Sequence, residues 1–96
     1  MSFTTPILYI KPGCPWCREA TSFFSQHGVP VEVRDVTASS QNMQRMLEIS
    51  GQSLTPTFEF GEFIVADFDV QEFLDAVEQV PEIKQQLGFG EEEDWN

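Results

Sequence analysis

The segment Ile7-Leu8-Tyr9-Ile10-Lys11-Pro12-Gly13-Cys14-Pro15-Trp16-Cys17 governs the architecture of the chain. Ile7 to Ile10 is a short, unbroken apolar run, the pattern of a strand covered on both faces, as in parallel sheets. Pro12-Gly13 interrupts it. Pro15 fits the first position of a helix, where a missing N–H costs nothing. That helix is predicted to run to about His27. Trp16, Ala20, Phe23, Phe24 and His27 then share one side at helical spacing, and Gly28 supplies the stop.

Working outward, Val29 to Val36 alternates apolar and polar residues and reads as a strand, with Pro30 near its start. Thr37-Ala38-Ser39-Ser40 offers N-cap residues for a second helix, marked by Met43, Met46, Leu47 and Ser50 and ended by Gly51. Thr57-Phe58-Glu59-Phe60 and Phe63-Ile64-Val65 flank Gly61-Glu62 and read as a hairpin. Asp69 is an N-cap for a third helix, and Glu72 three residues on completes a capping box. Val70, Phe73, Leu74 and Val77 form that helix's apolar stripe. Pro81 opens a last short helix containing Ile83 and Leu87, which Gly88 ends. The order β-α-β-α-β-β-α predicts an α/β fold with a mixed four-stranded sheet flanked by helices. A βαβ unit comes first, with a right-handed crossover, and a ββα unit second.

A length of 96 residues fits one domain, and 41 % hydrophobic residues with nine Phe are enough to bury a core. Five basic residues against sixteen acidic ones give a net charge of −11. That excess argues against nucleic acid and anionic membrane as partners, since both recruit basic surface. The longest apolar runs are far shorter than a membrane span. The first residues carry no basic region followed by an apolar stretch, so no signal peptide is read and a cytoplasmic location is expected. The charge is uneven. Residues 1–58 hold four basic and four acidic side chains, whereas residues 59–96 hold Lys84 against twelve acids.

Cys14 and Cys17 are the only cysteines. A disulfide stabilises chiefly by closing a long loop in the unfolded chain, and this pair closes almost none. In a reducing compartment the spacing therefore reads as zinc, redox chemistry or two core thiols. A zinc site wants four ligands, and only His27 adds a nitrogen. His27 reads more simply as a cation or cap at the helix C-terminus. Two inert thiols fit poorly with a strand–C-P-W-C–helix junction. The first helical turn presents unpaired N–H groups and the positive end of the helix dipole, which favour a thiolate. Lys11 and Arg18 add positive charge. A depressed Cys14 pKa, somewhere within roughly 3.5–7.5, is expected. Cys17 lies one turn deeper on the same face, which predicts an exposed nucleophile and an enclosed resolving thiol. Trp16 is expected as a partly exposed ring beside them.

The chain resembles the glutaredoxin family, within the thioredoxin fold, over about residues 6 to 80. The resemblance is carried by Lys11-Pro-Gly-Cys14-Pro-Trp-Cys17, by Ser50-Gly51-Gln52 running into Leu54-Thr55-Pro56, and by Val65-Ala66-Asp67-Phe68-Asp69. It implies a glutaredoxin-like domain over residues 1–90; Glu91, Glu92, Glu93 and Asp94 mark residues 91–96 as an acidic C-terminal tail. It implies thiol–disulfide exchange on protein disulfides or glutathione mixed disulfides, with Cys14 as nucleophile and Cys17 as resolving cysteine. Lys11 matches the basic residue that helps bind a glutathione carboxylate. Thr55-Pro56 matches the cis-proline step, where the backbone before proline pairs with the substrate like an added strand. Phe68 and Asp69 match the helix N-terminal positions that hold the γ-glutamyl carboxylate.

By the same resemblance glutathione is the reductant and co-substrate, no cofactor is bound, and the protein is a monomer. The chain departs from the family pattern at three places. Thr55 stands where many members carry Val, Ser53 where many carry a basic residue, and Ala66-Asp67 where a glycine pair is usual. Asp67 adds negative charge and a side chain where an anionic tripeptide would lie. Two alternatives follow from the family: a hydrogen donor of the ribonucleotide reductase type that takes electrons from thioredoxin reductase, and an iron–sulfur-binding glutaredoxin. Pro15 after Cys14 disfavours the second.

Overall fold

A computed structural model describes residues 5–88. The acidic tail lies outside the described residues. The elements are β1 (Ile7–Ile10), α1 (Pro15–Gln26), β2 (Glu32–Asp35), α2 (Ser40–Ser50), β3 (Thr57–Phe60), β4 (Phe63–Ala66), α3 (Val70–Glu78) and α4 (Pro81–Gln86). They build one mixed sheet in the order β2-β1-β3-β4. β1 runs parallel to β2, and β3 runs antiparallel to both β1 and β4. This is the expected thioredoxin-like arrangement of a βαβ unit followed by a ββα unit.

Strand alternation divides the sheet's residues between two cores. Leu8 pairs with Val33 and Phe58, and Phe58 with Val65. Leu8 and Phe58 bury against Ala20 and Phe24 of α1 and Phe73 and Val77 of α3. Three rings meet there: Phe24 stacks on Phe58 at 5.3 Å, and Phe73 meets both edge-on at 5.0 and 4.9 Å. Tyr9 faces the other way and packs with Val36 and Met46 under α2.

Local signals fix the helix ends. Ser39 caps α2 by accepting from the Gln41 N–H, and Gly51, in the left-handed region at φ 71, closes it. Asp69 and Glu72 form the predicted capping box, with Glu72 N–H to Asp69 Oδ1 at 2.8 Å and Asp69 N–H to Glu72 Oε1 at 3.0 Å.

Three expectations change. The second strand begins at Glu32, not Val29. The Val29 N–H closes onto the Phe24 carbonyl at 2.9 Å, its side chain plugs the core, and Pro30 has no N–H to pair. Trp16 does not join the apolar side of α1, because Cys17, Ala20 and Phe24 take the inward positions. Leu47 is likewise exposed, and Met43, Met46 and Ile49 form the buried side of α2.

Candidate functional site

β1 ends on Pro12 and on Gly13, whose φ of 74 turns the chain into α1. Cys14 follows as the N-cap of that helix, a place usually held by Ser, Thr, Asp or Asn. Its sulfur takes the role of the capping oxygen and accepts the Cys17 N–H at 3.2 Å. Its carbonyl accepts the N–H groups of Cys17 and Arg18, each at 3.1 Å. Pro15 occupies the first helical position, as read from the sequence. Cys14 and Cys17 are joined in a disulfide, with Cα atoms 5.2 Å apart.

Burial corrects one expectation. Cys14 is 6 % exposed and Cys17 2 %, so the expected open sulfur at Cys14 is nearly as enclosed as its partner. The cover comes from a segment remote in sequence. Thr55 places its carbonyl oxygen 3.9 Å and its hydroxyl 3.7 Å from Cys14 Sγ. A disulfide sulfur carries no hydrogen, so the carbonyl only touches it, whereas the hydroxyl donates a long hydrogen bond. The Thr55–Pro56 peptide is cis. The Pro56 carbonyl in turn accepts the Phe68 N–H at 3.4 Å, which ties the α3 entry to the cis-proline step.

The β1–α1 turn, the segment before β3 and the entry to α3 are thereby linked around one sulfur. Trp16, which precedes Cys17, and Leu54, which precedes Thr55, remain 53 % and 50 % exposed. Lys11 and Arg18 are exposed and line a groove of about 620 Å³ that reaches Cys17. On the α3 side the charge is reversed. Asp67 is exposed and holds a φ of 53, the left-handed region, as the only described non-glycine residue there. Asp69 is partly buried, and both its carboxylate and its N–H are engaged in the capping box with Glu72. Phe68 is buried in the core.

Two features carry no role in the sequence reading. One is Gln52, whose side chain bonds to Ser50, Leu54 and Thr57; its only signal is its place in the Ser50-Gly51-Gln52 motif. The other is Glu59, which is buried on β3. It accepts the Tyr9 hydroxyl at 2.7 Å and the Arg45 guanidinium at 2.7 Å. Burial, followed by the hydrogen bond and charge of Glu59, pushes the Tyr9 hydroxyl up to about 12. This cluster holds β1, β3 and α2 together behind the site. Among the described residues, no group of three or more His, Cys, Asp or Glu side chains is arranged to hold a metal ion, and no helix is long and apolar enough to cross a membrane.

A family model for glutaredoxin matches residues 7–65, well over half of the chain. No curated protein matches it. Among solved structures, glutaredoxin from Brucella melitensis superposes with a TM-score of 0.63 at 27 % identity, covering 94 % of this chain and 95 % of its own. The thioredoxin-like protein BC3987 gives a TM-score of 0.67 at 25 % identity over 74 % of this chain and 97 % of its own. Glutaredoxin from Archaeoglobus fulgidus, at 19 % identity, has a TM-score of 0.65 over 76 % of this chain and 85 % of its own, a likeness of fold alone. The matched region contains the disulfide, the helix that Cys14 caps and the cis-proline beside it, which is the equipment that thiol–disulfide exchange requires. On that extent of agreement, the chain belongs to the glutaredoxin family of thiol–disulfide oxidoreductases.

Proposed function

We propose that the protein reduces protein disulfides and glutathione mixed disulfides at the expense of glutathione, with Cys14 as nucleophile and Cys17 as resolving thiol. The observation that carries this reading is the Cys14 sulfur at the N-cap of α1, accepting the Cys17 N–H while facing the Thr55 backbone. In the reduced protein the same N–H and helix terminus favour a thiolate over a thiol. That thiolate attacks one sulfur of the substrate disulfide. A mixed disulfide forms, and the other sulfur leaves as a thiolate that takes a proton from solvent. Cys17 then attacks Cys14 Sγ, releases the second substrate thiol and closes Cys14–Cys17. Two glutathione molecules return the pair to dithiols in two further exchanges and leave as glutathione disulfide.

The remaining residues are proposed to bind. The Thr55 backbone next to Pro56 takes the substrate chain as an added strand. Lys11 meets a glutathione carboxylate. The α3 entry at Phe68 and Asp69 takes the γ-glutamyl end, with Asp67 beside it. Trp16 forms an apolar rim to the site. A buckwheat glutaredoxin of the same fold, 18 % identical with a TM-score of 0.58, was solved as a glutathione complex, which supports the ligand class. We place the protein in the cytoplasm as a monomer.

The test is turnover of a glutathionylated peptide by the wild type, Cys14→Ser and Cys17→Ser. Cys14→Ser is expected to be inactive and Cys17→Ser to accumulate the mixed disulfide. Full activity in Cys14→Ser would overturn the mechanism. Turnover with thioredoxin reductase but none with glutathione would overturn the choice of reductant.

A further inference from the structure

We propose that Gln52 is a positioning residue that sets the Thr55 backbone for docking of a disulfide-bearing peptide; the inference rests on the reading of function above. Gln52 lies partly buried in the turn between α2 and β3. Its Oε1 accepts the Leu54 N–H at 2.7 Å. Its Nε2 donates to Ser50 Oγ at 2.9 Å and to Thr57 Oγ1 at 3.1 Å. Thr57 is fully buried, and its hydroxyl passes the connection on by donating to the Leu54 carbonyl at 2.9 Å. The Ser50 hydroxyl donates to the Met46 carbonyl at 2.6 Å, which anchors the set to the last turn of α2.

Both backbone groups of Leu54 are therefore held, and so is the side chain of the residue after Pro56. Thr55 is bracketed from both sides. Its own N–H has no partner among the described residues, and its carbonyl faces Cys14 Sγ. These are the two groups that an incoming peptide backbone would pair with. Gln52 closes the bracket, since it is the side chain that joins Leu54, Thr57 and Ser50 to one another. A displacement of this backbone by about an ångström is enough to misalign a reacting disulfide. None of the three bonds ends on α1 or on Cys14, so loss of Gln52 leaves in place the helix terminus and the Cys17 N–H that favour the thiolate.

That separation defines the experiment. Reduced wild type, Gln52→Leu and Thr57→Val are mixed in single turnovers with a glutathionylated peptide. In parallel they are mixed with Ellman's reagent, an aromatic disulfide without peptide groups, and with iodoacetamide. Gln52→Leu keeps the approximate volume and removes every hydrogen bond, and Thr57→Val removes the hydroxyl relay. Each variant is expected to react with the peptide disulfide roughly fivefold to tenfold more slowly, the consequence of losing about one net hydrogen bond's worth of alignment. Rates with Ellman's reagent and iodoacetamide are expected within about twofold of wild type, a margin well inside one such bond. The double variant is expected to be no slower than the slower single, because both act through Leu54. An unchanged peptide rate, or an equal fall with the peptide and with Ellman's reagent, overturns the inference. Should Gln52→Leu fail to fold, Thr57→Val carries the same comparison. A wild type that reduces Ellman's reagent but not the peptide disulfide overturns the functional reading itself, and that outcome is distinct from a failure of the variants.

Discussion

Replacing Asp67 tests whether the α3 entry holds glutathione. The residue sits in the left-handed region at φ 53 and is exposed. Its carboxylate precedes the two positions proposed to take the γ-glutamyl end. A like-charge contact at an exposed surface costs about what an opposite pair gains, roughly 0.2–1 kcal/mol. Removing it is therefore expected to tighten glutathione binding by up to about fivefold. Asp67→Asn removes the charge with a residue that tolerates the same backbone, so it isolates the electrostatic part. Asp67→Gly also removes the side chain and lets a ligand approach the backbone more closely.

The stability cost of Asp67→Gly is small. Relief of about 1 kcal/mol of left-handed backbone energy is offset by the larger entropy that glycine loses on folding, about 0.5–1 kcal/mol. The assay uses a Cys17→Ser background, so that Cys14 stops at the glutathione mixed disulfide. The fraction glutathionylated, read by mass spectrometry in buffers of fixed glutathione to glutathione disulfide ratio, gives the exchange constant for each variant. The gain in both variants is expected to shrink at high salt, as screening of exposed charges requires. Exchange constants equal to wild type in both variants at low salt would refute the placement of glutathione at this entry.

Loss of the capping box in Asp69→Ala is expected to lower the unfolding free energy by about 1 kcal/mol, measured by urea denaturation. Phe73→Ala empties the meeting point of Phe24, Phe58 and Phe68, and is expected to cost about 3–5 kcal/mol on the same measurement. Tyr9 gives a pH dependence. Its folded pKa of about 12 lies above the ordinary phenol value of 10.0, so its contribution is complete below pH 10 and is lost as pH rises towards 12. The loss approaches about 3 kcal/mol, and Tyr9→Phe is expected to show no such loss in that window. Tyr9 is the only tyrosine, so phenolate absorbance reports its titration directly.

The parts of the fold that were legible are those decided by neighbours in sequence. Ser39, Gly51, Asp69 with Glu72, and Pro81 each mark a helix end through a bond or a backbone preference that spans at most a few residues. Facing was less legible, because periodicity gives a stripe without saying where its edges fall. Trp16 and Ala20 are four apart and share a side, yet the buried direction of α1 is set by Cys17, Ala20 and Phe24, and Trp16 falls outside it. The alternation through Val29–Val36 was real, but Pro30 and the closure of Val29 onto Phe24 leave only Glu32–Asp35 to pair, along one edge of β1. In the sequence Glu59 is marked only as one residue of the hairpin strand Thr57-Phe58-Glu59-Phe60. It is buried because α2 covers that face of the sheet, and Arg45, on that helix, makes its burial tolerable.

The same distinction explains the site. The identity and order of the thiols follow from a motif eleven residues long, but the enclosure of Cys14 does not. It depends on Thr55, 41 residues away, and hence on how β3 pairs with β1. Charge is also local in a way that a total conceals. The net −11 lies wholly beyond residue 58, so the cysteines inherit Lys11 and Arg18 from their own segment while Asp67, Asp69 and Glu72 gather at the α3 entry. At the α3 entry the Asp69 N–H already bonds to the Glu72 carboxylate. A glutathione carboxylate arriving there must displace a carboxylate of the protein's own, a competition that depends on the backbone of the third helix as much as on the count of acids. Glu72→Gln keeps a capping acceptor but weakens it, and so is expected to raise glutathione affinity by a factor comparable to Asp67→Asn. A fall in the same exchange assay would mean that the box shapes the entry for the ligand instead of blocking it.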